Sequence, residues 1–207
     1  MGATALIHGR KLLPALMLAA ACTSTTRPVA TRLPEMIFDL PALEPCATPT
    51  SLTEVAATMQ ALQPIIGRYP PVFTDAAHRA AVFAEWTDLR ACAEALPADR
   101  EPERRLYVLA EIYRQGHNMD VSEAASQCEL NLQRCLDAFP ESTLCNASAS
   151  YFYLSIYPSP ENLDRAEKSL SILRERAVPG YSEEAEAGFV FLEIFRLKPA
   201  NARSQID

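Results

Sequence analysis

Glycine and histidine are scarce in this chain of 207 residues: it has six glycines and three histidines, and beyond the first 21 residues only Gly67, Gly116, Gly180, Gly188, His78 and His117 remain. That scarcity excludes much. The chain has no glycine-rich phosphate loop, no HExxH, no GxSxG and no CxxC, so the usual routes to nucleotide, zinc, esterase or thiol-redox chemistry lack their parts. His117, beside Gly116, reads as a solvated turn residue, and His78 as an ordinary residue early in a helix. No catalytic residue, metal ligand or cofactor is expected. Basic clusters are missing as well. Nineteen Lys and Arg stand against 26 Asp and Glu for a net charge of −7, and without the first 21 residues, which carry Arg10 and Lys11 and no acid, the charge is −9. An acidic surface repels phosphate, so nucleic acid is not an expected partner.

What is present begins with a leader. In residues 1–21, Arg10 and Lys11 precede an uncharged run from Leu12 to Ala21 that ends in small residues, the layout of a secretory signal peptide. A run of about 10 apolar residues is too short to cross a bilayer, which takes about 20. Leu18-Ala19-Ala20-Ala21-Cys22 resembles the lipobox of bacterial lipoproteins, in which the cysteine carries lipid and becomes the mature N-terminus. That pattern favours Leu three places before the cysteine, and here Ala19 holds the place; the alternative is an ordinary signal peptide with a cysteine nearby. The resemblance implies a lipid on Cys22, and Thr23 in the next position implies the outer membrane, facing the periplasm. Residues 22–50 then read as an extended tether, Ser/Thr-rich at first and holding Pro28, Pro34, Pro41, Pro45 and Pro49. Within it Met36, Ile37, Phe38, Leu40 and Leu43 are too apolar for a solvated linker and are expected to lie against the domain.

From 51 to 198 the periodicity is helical. Ser51 and Glu54 form a capping box ahead of the stripe Val55, Met59, Leu62, which Pro64 should break. Thr74 should cap a longer helix to about Leu96, ended by Pro97, with Trp86 in the core rather than serving as a ligand platform. Leu106, Leu109, Ala110 and Tyr113 make one apolar stripe that Gly116 should end. Asp120, with Glu123 three places on, should cap the next helix, whose buried face is Cys128, Leu132, Cys135 and Phe139 before Pro140. Those two helices form a hairpin. Residues 182–197 read as a closing helix, and 199–207 as a tail.

The hairpin recurs. A shift of 39 residues brings Ala110 onto Ala149 and Gly188, Tyr113 onto Phe152 and Phe191, Asp120 onto Ser159 and Pro140 onto Pro179. These positions resemble the tetratricopeptide repeat, with small residues where paired helices approach and an aromatic between hairpins. The family's tryptophan is replaced by Leu106 and Cys145, and each unit is about five residues longer than the family's 34. The resemblance implies an all-α fold, antiparallel hairpins stacked as a short solenoid; the other reading is an irregular helical bundle. It also implies a groove lined by first-helix positions, here Arg104, Tyr107, Glu111 and Arg114 in one unit and Thr143, Asn146, Ser150 and Tyr153 in the next. A solvated helix face would carry similar residues.

After Cys22 the cysteines are Cys46, Cys92, Cys128, Cys135 and Cys145, an odd number. Cys128 and Cys135 lie about 10.5 Å apart along one helix and cannot bridge each other. Cys135 and Cys145 flank Pro140 symmetrically, which sets them opposite across antiparallel helices, and Cys46–Cys92 would staple the tether to the domain. All could instead be buried small apolar residues. The function expected is a non-enzymatic envelope adapter or assembly factor that holds a protein or peptide segment. The alternative is a small-molecule or lipid carrier that accompanies a transporter.

Overall fold

The Ser51 hydroxyl accepts the Glu54 amide while the Glu54 carboxylate accepts the Ser51 amide, a reciprocal cap that starts the first helix. In the computed structural model, which describes residues 38–42, 46 and 51–197, seven helices follow in order. They are α1 (Leu52–Ile66), α2 (Ala76–Ala95), α3 (Pro102–Asn118), α4 (Ala124–Ala138), α5 (Thr143–Ser155), α6 (Pro160–Arg176) and α7 (Tyr181–Leu197). The protein is all-helical over these residues, its only ladder contact an isolated parallel bridge between Phe38 and Val121. None of the described helices is long and apolar enough to cross a membrane. Cys22, the expected leader, most of the expected tether and the expected tail lie outside the described residues.

Each helix packs on the next, and the odd-numbered ones also touch in series, α1 on α3, α3 on α5 and α5 on α7. One apolar core runs through all of them, from Val55, Met59 and Ile66 through Trp86, Leu109, Ile112 and Leu132 to Phe152, Leu170 and Leu192. Small side chains permit the closest approaches. Ala110 and Ala149 are fully buried, and a Cβ added at Gly188 would run into the Leu170 side chain of α6. The third member of the aromatic series differs from the others: Tyr113 and Phe152 are 5% and 0% exposed, but Phe191 is 54% exposed. Among the described residues no helix follows α7 to cover that side.

Several helix ends differ from the sequence expectation, each for a local reason. Pro64 does not break α1, which runs on to Ile66, and the carbonyls of its last turns find donors on α3. Gln115 Nε2 donates to Met59 O at 2.8 Å, and Asn118 Nδ2 to Ile66 O at 2.9 Å. Gly116 lies inside α3, where its missing Cβ makes room for the Trp86 ring. His117 is accordingly a half-buried helical residue, its basicity lowered by that burial. Asp75 rather than Thr74 caps α2, accepting from the His78 amide at 2.8 Å, while His78 Nδ1 accepts from the Thr74 amide. Asp120 does not cap α4, which starts behind Glu123; both residues have φ 63° in a turn that receives the strap described next.

That strap is residues 38–42 and 46, the described part of the segment read from the sequence as a tether. Phe38 N donates to Asp120 O at 3.2 Å, Ser122 N to Phe38 O at 2.8 Å and Leu40 N to the Ser122 hydroxyl at 3.1 Å. The Phe38 ring stacks on Phe83, centroids 4.3 Å apart, under the Arg79 guanidinium, and Arg90 donates to Pro41 O. Cys46 is bonded to Cys92 in α2. A second disulfide, Cys135–Cys145, ties α4 to α5, and among the described residues Cys128 is the free thiol, buried.

Candidate functional site

Because the odd-numbered helices contact one another in series, they share one side of the molecule, and that side is hollow. A cavity of about 720 Å³ is lined by Gln63 and Gly67 at the end of α1, by Tyr107, Glu111 and Arg114 of α3, and by seven residues of α5 from Leu144 to Ser155. Tyr181, Glu184, Ala187, Gly188, Phe191 and Phe195 of α7 close it, with Leu170 from α6. Its volume falls within the range of small-ligand sites, about 300–1,000 Å³.

Its floor is an ion pair. Arg114 Nη2 and Nε donate to Glu111 Oε2 at 2.6 and 3.1 Å, Nη1 donates to Gly67 O at 2.6 Å, and the Ser148 hydroxyl donates to Glu111 Oε1. Burial opposes the charge on Arg114, whose side chain is 4% exposed, but Glu111 outweighs it and the guanidinium becomes more basic. Above it stands the ring of Tyr151, 5.2 Å from the guanidinium carbon. Arg114 thus has its donors turned to Glu111 and the α1 terminus, and it works as a brace between helices rather than a hook for an anion.

Of the residues drawn from the repeat resemblance, Tyr107, Glu111, Arg114 and Ser150 line the cavity. Arg104, Thr143, Asn146 and Tyr153 do not. Arg104 pairs with Glu101 on the surface at 3.2 Å. Asn146 is buried and donates to Pro140 O and Ser142 O, where it holds the turn into α5. Tyr153 is buried among the helices. On α5 the lining residues Ala147, Tyr151 and Leu154 each lie one place after the expected ones, which is a roll of about 100°. The signal that could have found them is a second spacing: Tyr107, Leu144 and Tyr181 lie 37 apart, as do Arg114, Tyr151 and Gly188. Among the described residues no group of His, Cys, Asp and Glu is arranged to hold a metal ion.

The site has an alkaline signature. Burial, and after it the Glu111 carboxylate, lift the Tyr107 hydroxyl from 10.0 to about 12. Its unfolded counterpart ionises first, so the stability it contributes is complete below pH 10 and is lost as pH rises through about 12. Tyr113 is raised in the same direction by burial and by donating to Glu94 at 2.8 Å. Ultraviolet titration of Tyr107→Phe against the parent is the check. The variant should lack one phenol that ionises near pH 12 and should lose stability less steeply above pH 10.

Neither a protein-family model, nor a curated protein, nor a solved structure matches the chain.

Proposed function

We propose that this chain is a non-enzymatic lipoprotein of the cell envelope, held by lipid on Cys22 at the outer membrane and facing the periplasm. In this reading it is an adapter that takes an extended segment or helix of another envelope protein into its groove. The order of helix contacts supports a short tetratricopeptide-like solenoid: hairpins α1–α2, α3–α4 and α5–α6 with α7 closing the series, first helices inside and second helices outside. The observation that carries the functional reading is the lining itself. Tyr107, Tyr151, Tyr181 and Phe191, from α3, α5 and α7, line the groove, and Tyr151 and Phe191 stand about half exposed in it. Aromatic residues are enriched at protein interfaces and supply large contact area at little cost in side-chain freedom.

A second reading is favoured by the cavity's volume and by its apolar wall of Leu144, Leu154, Leu170 and Phe195: a carrier of a small molecule or lipid. One experiment separates the two. The chain is purified from its own envelope with a tag in place of the anchor, in parent and Phe191→Ala forms. Adapter function requires a stoichiometric protein that is held by the parent and lost from the variant, with affinity reduced about tenfold or more and the melting temperature unchanged. Co-purified lipid with no protein supports the carrier. Acyl chains on Cys22 in the mass spectrum of the untagged protein test the anchor.

A further inference from the structure

Among the described residues the groove holds one uncompensated charge, and it is negative. Glu111 and Arg114 neutralise each other, and Glu184, exposed on α7, has no paired cation among the described residues. Tyr107 and Tyr181 line the same cavity, and Glu184 lies close enough to Tyr107 to help hold its hydroxyl protonated. Aromatic rings beside a carboxylate suit an ammonium or guanidinium group.

Outside the cavity α7 keeps this character. Val190, Ile194 and Leu197, spaced at helical intervals, are 61, 44 and 78% exposed, and the carboxylates Glu186 and Glu193 stand among them in the open. A second copy docked there would set carboxylate against carboxylate, and the net charge of −7 opposes both self-association and an anionic lipid surface. We infer that the occupant of the groove and of the adjoining α7 face is a segment of a partner protein that is apolar with Lys or Arg interspersed. Its cationic side chain seats at Glu184, and its apolar side chains lie against Phe191 and the bare side of α7. This inference rests on the peptide-groove reading and adds the chemistry of the guest.

Displayed random peptides of about a dozen residues, selected on the detergent-solubilised full chain in about 0.15 M salt, give the test. The selected peptides should be enriched in Lys and Arg between apolar residues. Their affinity should fall about tenfold or more on Glu184→Lys and on Phe191→Ala, but hold on Glu175→Lys, which makes the same change in net charge on α6. Peptides without that enrichment, indifferent to Glu184→Lys yet weakened by Phe191→Ala, overturn the inference and leave the groove. Equal losses on Glu175→Lys and Glu184→Lys reduce the binding to net-charge attraction and overturn it too. Peptides indifferent to Phe191→Ala, or no selected peptide, overturn the groove reading with it.

Discussion

Replacing Glu111 by Ala is expected to destabilise the protein by about 3–5 kcal/mol, the cost of leaving one partner of a buried ion pair alone. For a chain of this length that is a fall of roughly 6–20 °C in melting temperature. The physical reason is visible around Arg114. Without Glu111 the guanidinium keeps one acceptor, Gly67 O, and no negative charge to offset its burial, and the Ser148 hydroxyl loses its acceptor at the same time. Thermal unfolding by circular dichroism measures the loss, and a change below about 1 kcal/mol would assign the pair to the weak class of hydrated surface bridges. Removing both partners, Glu111→Met with Arg114→Leu, should restore much of the difference, since apolar replacement of a whole buried pair is often neutral. Reversing the charge of Arg114 therefore reads out folding and not binding, whereas Arg104, exposed and paired with Glu101, can be reversed with little cost.

An effect of similar size is expected at Trp86. The side chain is fully buried, its Nε1 donates to Ile112 O at 2.7 Å, its ring lies over the bare Cα of Gly116, and Phe83 flanks it with centroids 6.0 Å apart. Trp86→Ala should cost about 3–5 kcal/mol through the cavity it opens between α2 and α3. Trp86→Phe, which keeps most of the volume and loses the donor, should cost less, and Gly116→Val should destabilise from the opposite side by forcing the ring out of its place. Urea unfolding of the three variants gives the ranking. If Gly116→Val were neutral, the close approach of ring and backbone would be no constraint on the fold.

Trp86 and Gly116 also illustrate what the sequence could tell. The helical period and the capping box at Ser51 were legible, because both depend on residues within a few places of each other. Gly116 was not. Its low helix propensity argues for an end, and only the distant Trp86 ring explains why a helix runs through it. Asp120 is a good cap by the same local logic, but the segment Met119–Glu123 turns to receive Phe38, a partner more than eighty residues upstream. Proline at 64 misled in the same way, because the last turns of α1 are held from a distance: Gln115 and Asn118 of α3 donate to Met59 O and Ile66 O.

The cavity was half legible. Of the α3 positions carried over from the repeat resemblance, Tyr107, Glu111 and Arg114 line it and Arg104 does not. On α5 only Ser150 of the expected residues lines it, because a roll of one residue turns Leu144, Ala147, Tyr151 and Leu154 to the open side in place of Thr143, Asn146 and Tyr153. A 39-residue period records which side chains meet their own hairpin partner; the open side answers to how successive first helices lean on each other.

Among the described residues Cys128 is the thiol left outside any disulfide. Cys128 is fully enclosed in α4, burial first and Glu111 second push its proton affinity well up, and the other four described cysteines are paired, Cys46 with Cys92 and Cys135 with Cys145. An alkylating reagent therefore reaches it only when the interior breathes, so the rate of labelling at this one sulfur is a clock for opening of the middle of the molecule. A guest that props the hollow side closed would slow that clock without touching it.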